Sequence, residues 1–88
     1  MEIIFRKSAR RHKIGRARAL YVIIHYAPII VASSDLVSEN LEWNGKDDRG
    51  FPLEIIGKFE EGNLIIFHVM PYDFRRRYKW NFETEIGL

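Results

Sequence analysis

The sequence predicts an α+β fold, in which a small antiparallel sheet of about four strands carries N-terminal helices on one face. Short apolar, β-branched segments are bounded by Gly and Asn, which is typical of strands joined by tight turns. A stretch that begins at Arg16 places apolar residues at spacings of three and four, which is typical of a helix with one buried face. The predicted order is a strand, helices and then a meander of strands.

The N-terminal half supplies the first strand and the helices. Residues 2–6 form a short predicted strand with an apolar centre at 3–5, and Ser8 is a candidate N-cap for one helical turn. A longer helix is expected from Arg16 up to Pro28, because proline lacks the amide hydrogen that a helix interior needs. Residues 33–40 are polar and show no period, so we expect an exposed connector there.

The C-terminal half predicts a meander in which tight turns separate alternating or apolar runs. The predicted segments are a strand at 41–44, a turn at 45–50, a strand at 51–59, a hairpin turn at 60–63 and a last strand from Leu64 to Val69 or Met70. The aspartates at 47 and 48 have two interpretations, a cation site or a turn that bonds its own backbone. The turn is favoured because Asp in turns bonds the amides that follow it.

Length and composition indicate one globular domain. The chain has 88 residues, of which 47% are hydrophobic and 14% aromatic, well above the content of disordered chains. We expect a single domain over residues 1–88, with its core in 2–79 and a loosely held tail at 80–88. The sequence contains no cysteine, which excludes disulfides and thiolate metal sites and favours a cytoplasmic location. Neither a membrane span nor a secretion signal is expected.

Positive charge is concentrated in two segments. The formal net charge is only +2 at pH 7, but residues 1–18 carry +6 while residues 35–61 carry −5. Arg75, Arg76 and Arg77 follow the last predicted strand. If the two basic segments meet in space, they create a positive field suited to phosphate groups. The alternative is a solvated surface on which the two signs of charge pair with each other.

The residue types available for chemistry fit the cleavage of RNA without a metal or another cofactor. In that reaction a base takes the proton of the 2′-hydroxyl, an acid protonates the leaving 5′-oxygen, and cations hold the charge on phosphate. Histidine and arginine suit these tasks. The expected catalytic residues are His12, Glu54, His68, Arg75 and Arg77. The expected RNA-binding residues are Arg10, Arg11, Lys13, Arg76 and Tyr78. An aromatic ring among guanidinium groups is typical of surfaces that stack the bases of single-stranded RNA.

Two of these residues also have structural interpretations. His68 shares a face with Leu64 and Ile66 by the two-residue alternation of a strand, so it is equally a core histidine. Glu54 is predicted to face the side opposite to its apolar neighbours. On a concave face it could act as a general base or orient an arginine, whereas on a solvent face it would have no special role.

Five short motifs, taken together, resemble a family of bacterial toxins. The motifs occupy residues 8–14, 18–20, 43–50, 53–56 and 64–71. They are similar to toxins of the BrnT type, which belong to the broad RelE/ParE-like set. The resemblance implies a compact α+β fold and ribosome-independent cleavage of RNA. It also implies a cognate antitoxin that binds and neutralises the toxin and carries a DNA-binding segment, so that the complex represses its own operon. The alternative function is a non-catalytic module with the same fold that binds nucleic acid or protein.

Overall fold

The described part of the chain forms a five-stranded sheet with one α-helix packed on one of its faces. The computed structural model describes residues 1–32 and 39–72. The elements in these ranges are β1 (Ile3–Phe5), a 3₁₀ turn (Lys7–Arg10), α1 (Arg16–His25), β2 (Ile29–Ala32), β3 (Glu39–Lys46), β4 (Pro52–Glu60) and β5 (Asn63–Pro71).

The strands lie in the order β1-β5-β4-β3-β2, with β1 parallel to β5 and every other neighbouring pair antiparallel. The predicted fold class is therefore wrong in three respects. The described sheet has five strands instead of about four, it is mixed instead of antiparallel, and a single α-helix covers it instead of several N-terminal helices. Ser8 does not cap a helix, because it lies inside the 3₁₀ turn.

The strand that the sequence did not predict is β2. Its apolar residues begin directly after Pro28, between the expected helix and the connector expected at 33–40, and they pair antiparallel with the first half of β3. The chain must reverse direction between α1 and β2, and proline supports that reversal because it fixes φ and cannot continue the helix. The helix itself begins at Arg16 as expected and ends at His25.

The core lies between α1 and one face of the sheet. Ala19 and Val22 of α1 pack in one cluster with Trp43, Ile55 and Val69 from the three central strands, and each is 3% exposed or less. Burying a side chain the size of valine or isoleucine contributes about 1.5–3 kcal/mol. This cluster therefore fixes which face of β3, β4 and β5 turns inward and which is left for other contacts.

A β-bulge interrupts the pairing of β4 with β5. Gly57 pairs with Ile66, but the preceding residue of β4, Ile56, pairs with His68. Phe67 is therefore the extra residue on β5, and the alternation of side chains shifts by one position at this point.

The bulge decides where His68 points. Ile66 before the bulge and Val69 after it both reach the core, although they are three residues apart and would lie on opposite faces of a regular strand. His68 consequently lies on the face opposite α1, together with Glu54 of β4. The expectation that His68 shares a face with Leu64 and Ile66 is wrong, because that expectation assumed an unbroken alternation.

The turn between β3 and β4 is closed by Asp47, which confirms the turn interpretation. The Asp47 Oδ1 atom accepts hydrogen bonds from the backbone amides of Arg49 and Phe51, each at 2.9 Å, while Oδ2 accepts one from the Arg18 Nε of α1. Burial alone would raise the pKa of Asp47, but the hydrogen bonds from Arg18, Phe51 and Arg49 lower the pKa below its ordinary value. The carboxylate therefore ties α1 to this turn.

Candidate functional site

The 3₁₀ turn and the residues after it meet the strands β4 and β5 around a cavity of about 510 Å³ on the sheet face opposite α1. The side chains and backbone that line it belong to Ser8, Arg11, His12, Ile56, Phe67, His68 and Met70. Three of the residues predicted from the sequence, Arg11, His12 and His68, thus come together in one cavity although they lie in distant parts of the chain. A guanidinium group beside two imidazoles combines an anion-binding group with groups that exchange protons near neutral pH.

Glu54 lies behind His68. The Glu54 residue is only 2% exposed, and its Oε2 atom is 3.8 Å from the Nε2 atom of His68. Both of these atoms are buried, whereas the His68 side chain as a whole is 31% exposed. The distance is longer than a hydrogen bond, and the two groups form an ion pair when His68 is protonated. His68 therefore connects a buried carboxylate to the cavity.

Ser8 fastens the 3₁₀ turn to the bulge. Its Oγ atom donates a hydrogen bond of 2.6 Å to the carbonyl oxygen of Phe67, and the Arg6 amide donates one of 2.8 Å to the carbonyl oxygen of Ile66. The turn is thereby held to β5 on the two residues that precede His68. This attachment brings Arg11 and His12 to the cavity.

The other predicted site residues do not line this cavity in the described part of the chain. Arg10 and Lys13 line a different cavity of about 380 Å³, together with Arg16 at the start of α1. The remaining predicted residues lie outside residues 1–32 and 39–72, and they are Arg75, Arg76, Arg77 and Tyr78. The idea that the C-terminal arginines meet the early basic segment therefore stays a prediction.

Sequence reasoning missed the residues that build the cavity wall and hold the turn. Ser8 was assigned to a helix cap, and Phe67 was given no role. The signal that could have identified this place is Gly57, because an isolated glycine inside a strand often marks a bulge or a close approach of another backbone. A bulge opposite Gly57 would have moved His68 away from the core face.

The cations of the N-terminal segment differ in whether a carboxylate pairs with them. Arg6 lies 3.4 Å from the Glu60 carboxylate, and Arg18 bonds the Asp47 carboxylate. By contrast, no carboxylate among residues 1–32 and 39–72 lies within 4 Å of the three predicted RNA-binding cations, which are Arg10, Arg11 and Lys13. The positive charge of these three groups is therefore not neutralised by the described carboxylates at contact distance, and it is available to an anion.

Comparisons with family models, with curated proteins and with solved structures find no match to this chain. In the described ranges, no three His, Asp or Glu side chains are grouped closely enough to hold a metal ion. None of the helices in the same ranges has both the length and the apolar composition needed to cross a bilayer.

Proposed function

We propose that this protein is an endoribonuclease that cleaves single-stranded RNA without a metal ion. The observation that carries the proposal is the meeting of His12, His68 and Arg11 in one cavity, with Glu54 behind His68. Two imidazoles supply a base and an acid, and a guanidinium holds a phosphate through two parallel hydrogen bonds.

The reaction proceeds by attack of the ribose 2′-oxygen on the adjacent phosphorus. One histidine accepts the proton of the 2′-hydroxyl as the new P–O bond forms. The other histidine donates a proton to the 5′-oxygen as its bond to phosphorus breaks. Arg11 stabilises the additional negative charge that the phosphate oxygens carry in the transition state. The products are a 2′,3′-cyclic phosphate and a 5′-hydroxyl end, and no oxidant or other reactant is required.

Glu54 is proposed as a positioning residue for His68. Because the Nε2 atom of His68 is buried towards Glu54, we assign the proton exchange with the substrate to Nδ1. A carboxylate behind an imidazole holds the ring in one orientation and stabilises its protonated form. The 3.8 Å separation requires only a small movement to become a hydrogen bond, and such bonds often shorten when substrate binds.

The unneutralised cations extend the contact with RNA beyond the cleaved phosphate. We call the cavity of about 510 Å³ the catalytic cavity. Arg10, Arg11 and Lys13 belong to one short segment beside it. Cations of this kind supply most of the affinity of a protein for a polynucleotide backbone, and that affinity weakens as salt is added. Single-stranded RNA is therefore the partner that fits this surface best.

The proposal extends to a toxin whose partner is a cognate antitoxin in the cytoplasm. Its support is the resemblance of the sequence to BrnT-type toxins, because three of the resembling motifs contain the candidate site residues. The motif at 8–14 contains Arg11 and His12, the motif at 53–56 contains Glu54, and the motif at 64–71 contains His68. An antitoxin that covered this cavity would neutralise the enzyme.

The test is cleavage of a labelled single-stranded RNA by the purified protein in the presence of EDTA. We expect products with cyclic phosphate ends, and we expect His68→Ala and His12→Ala each to reduce the rate by about 10²–10⁴-fold. His25→Ala is the matched control, because His25 stacks on Tyr21 at the surface of α1 and does not line the cavity. Cleavage that survives unchanged in both cavity variants would overturn the proposal.

A second measurement separates the enzyme from a non-catalytic module. Expression in bacteria should slow growth for the wild-type protein and for His25→Ala but not for His68→Ala. Binding of RNA that is equal in the wild-type protein and His68→Ala, with no product from either, would indicate a binding module instead.

A further inference from the structure

The basic segment at residues 10–13 contributes to two cavities, the catalytic cavity and a second one. The second cavity measures about 380 Å³ and is lined by Arg10, Lys13 and Arg16, together with apolar groups that include Phe5. Three cations therefore face one small space. The neighbouring residues Arg11 and His12 line the catalytic cavity instead.

The backbone of Lys13 is unusual at the point of this division. Lys13 has a φ of 56°, which lies in the left-handed region that residues other than glycine rarely adopt. A residue held there costs of order 1 kcal/mol and persists because its surroundings require it. The left-handed backbone at Lys13 coincides with the point where consecutive residues divide between the cavities, since His12 lines one and Lys13 the other.

The charges of the second cavity are positioned for an anion. Arg16 is held in place, because its Nη2 atom donates a hydrogen bond of 3.3 Å to the Ile3 carbonyl oxygen and its guanidinium lies 5.3 Å from the centre of the Phe5 ring. Arg10 and Lys13 have no carboxylate within 4 Å among the described residues. A cavity lined by one hydrogen-bonded and two unneutralised cations suits a ligand with several acceptor oxygens, and a phosphate diester is such a ligand.

We infer that the second cavity is a phosphate subsite, which holds a phosphate next to the cleaved one on the same RNA strand. This inference rests on the proposed function for the identity of the strand. Arg10 and Arg11 are consecutive residues, so their Cα atoms are about 3.8 Å apart and the two cavities are close neighbours. A polynucleotide carries one phosphate per nucleotide, and a strand that crosses the basic segment presents one phosphate to each cavity. The enzyme accordingly prefers RNA with at least two phosphates.

The first experiment measures binding without cleavage. A short single-stranded oligonucleotide with 2′-deoxyribose at every position is titrated at several salt concentrations. The slope of log affinity against log salt is negative, and the double variant Arg10→Gln/Lys13→Gln should lower its absolute value by about 0.7, which corresponds to one lost phosphate contact on a single strand. Lys7→Gln/Lys46→Gln removes the same charge from residues that line neither cavity, and it should leave the slope unchanged.

The second experiment measures cleavage of substrates that differ by one phosphate. The wild-type protein and the double variant are each compared on a dinucleoside monophosphate, which occupies only the catalytic cavity and sets the reference kcat/KM of each protein. For the same dinucleotide with an added 5′- or 3′-phosphate, kcat/KM relative to this reference should be lower in the double variant than in the wild-type protein by about tenfold or more for at least one of the two, as expected when charged hydrogen bonds are lost. If the double variant does not fold, Arg10→Gln and Lys13→Gln are compared singly.

The outcomes show separately whether the phosphate subsite fails and whether the proposed ribonuclease function fails. An unchanged salt slope, or an equal fall in the control variant, overturns the subsite even if the wild-type protein cleaves RNA. A slope that falls only in the Arg10→Gln/Lys13→Gln variant supports the subsite even if no RNA is cleaved, and in that case the proposed function fails instead. A slope that falls for the oligonucleotide and also for a poly-glutamate peptide indicates a general site for acidic polymers and overturns the assignment to phosphate.

Discussion

Replacing Gly57 by alanine should both destabilise the fold and disturb the candidate site. A Cβ atom at this position would lie 2.6 Å from the Ile65 carbonyl oxygen and 2.7 Å from Ile66 Cδ1. Carbon and oxygen atoms in contact are about 3.3 Å apart or more, so β4 and β5 must separate where the bulge begins. Because His68 follows the bulge, we expect the alanine to change its distance from Glu54.

The expected cost of Gly57→Ala combines two opposing effects. Forcing a methyl group into a packed site costs about 1–3 kcal/mol. The alanine also restricts the unfolded chain, which returns about 0.4–1 kcal/mol. From the middle of both ranges, the net loss in the free energy of unfolding is roughly 1–2 kcal/mol. For a small domain whose stability falls by about 1 kcal/mol per molar urea, the unfolding midpoint should decrease by about 1–2 M.

The assay pairs urea unfolding, followed by circular dichroism, with the rate of RNA cleavage. Gly62→Ala is the matched control, because Gly62 has a φ of 82° and nothing lies within 4 Å of a Cβ built there. Its alanine variant should lose about 1–2 kcal/mol from backbone strain alone and keep the site intact. Cleavage should therefore fall in Gly57→Ala and persist in Gly62→Ala under conditions where both are folded. Equal cleavage by the two variants would refute the role of the bulge.

Three further predictions concern the turn at Asp47 and the attachment of Ser8. Asp47→Asn keeps an oxygen for the turn amides but cannot accept from Arg18, so the free energy of unfolding should fall by about 1.5–3 kcal/mol in urea titrations; an unchanged midpoint would contradict this. The pKa of Asp47 is lowered in the fold, so the stability that its carboxylate contributes is complete above the ordinary aspartate pKa of about 4 and is lost as pH falls through the lower folded value. The free energy of unfolding measured from pH 7 to pH 2 should therefore decline less steeply in Asp47→Asn than in the wild-type protein. Ser8→Ala removes the hydrogen bond to the Phe67 carbonyl oxygen, so the free energy of unfolding should fall by about 1 kcal/mol. Cleavage should slow by more than this loss of stability explains. A variant that is less stable yet fully active would show that the attachment of the turn does not matter for the site.

The parts of the fold that could be predicted from the sequence are those with local signals. The helix that begins at Arg16 follows from the spacing of its apolar residues, and the turn at Asp47 follows from residue types that bond their own backbone. The strands on either side of Gly62 follow from a turn that only a few residues can adopt. Each of these signals depends on residues within one turn or one strand of each other.

The parts that could not be predicted depend on contacts between distant residues. Nothing near Ile29 indicates that it should pair with Glu42, and nothing near Ile3 indicates a parallel partner at Leu64. The face of His68 depends on a single inserted residue in the pairing of two strands, and an alternation rule cannot detect that insertion. The candidate site lies at this point, which explains why its residue types were recognisable from the sequence while its geometry was not.

The parallel pairing of β1 with β5 has a consequence for how the protein is made. Ribosomes synthesise a chain from its N-terminus, and β1 has no strand to pair with until residues 64–66 have emerged. Until then the segment that carries Arg11 and His12 has no β5 to hold it, and His68 itself is not yet available. A nascent chain or a product truncated before β5 therefore contains most of the cations but cannot assemble the cavity of the candidate site. If the protein is a ribonuclease, its activity can arise only after the ribosome has synthesised β5.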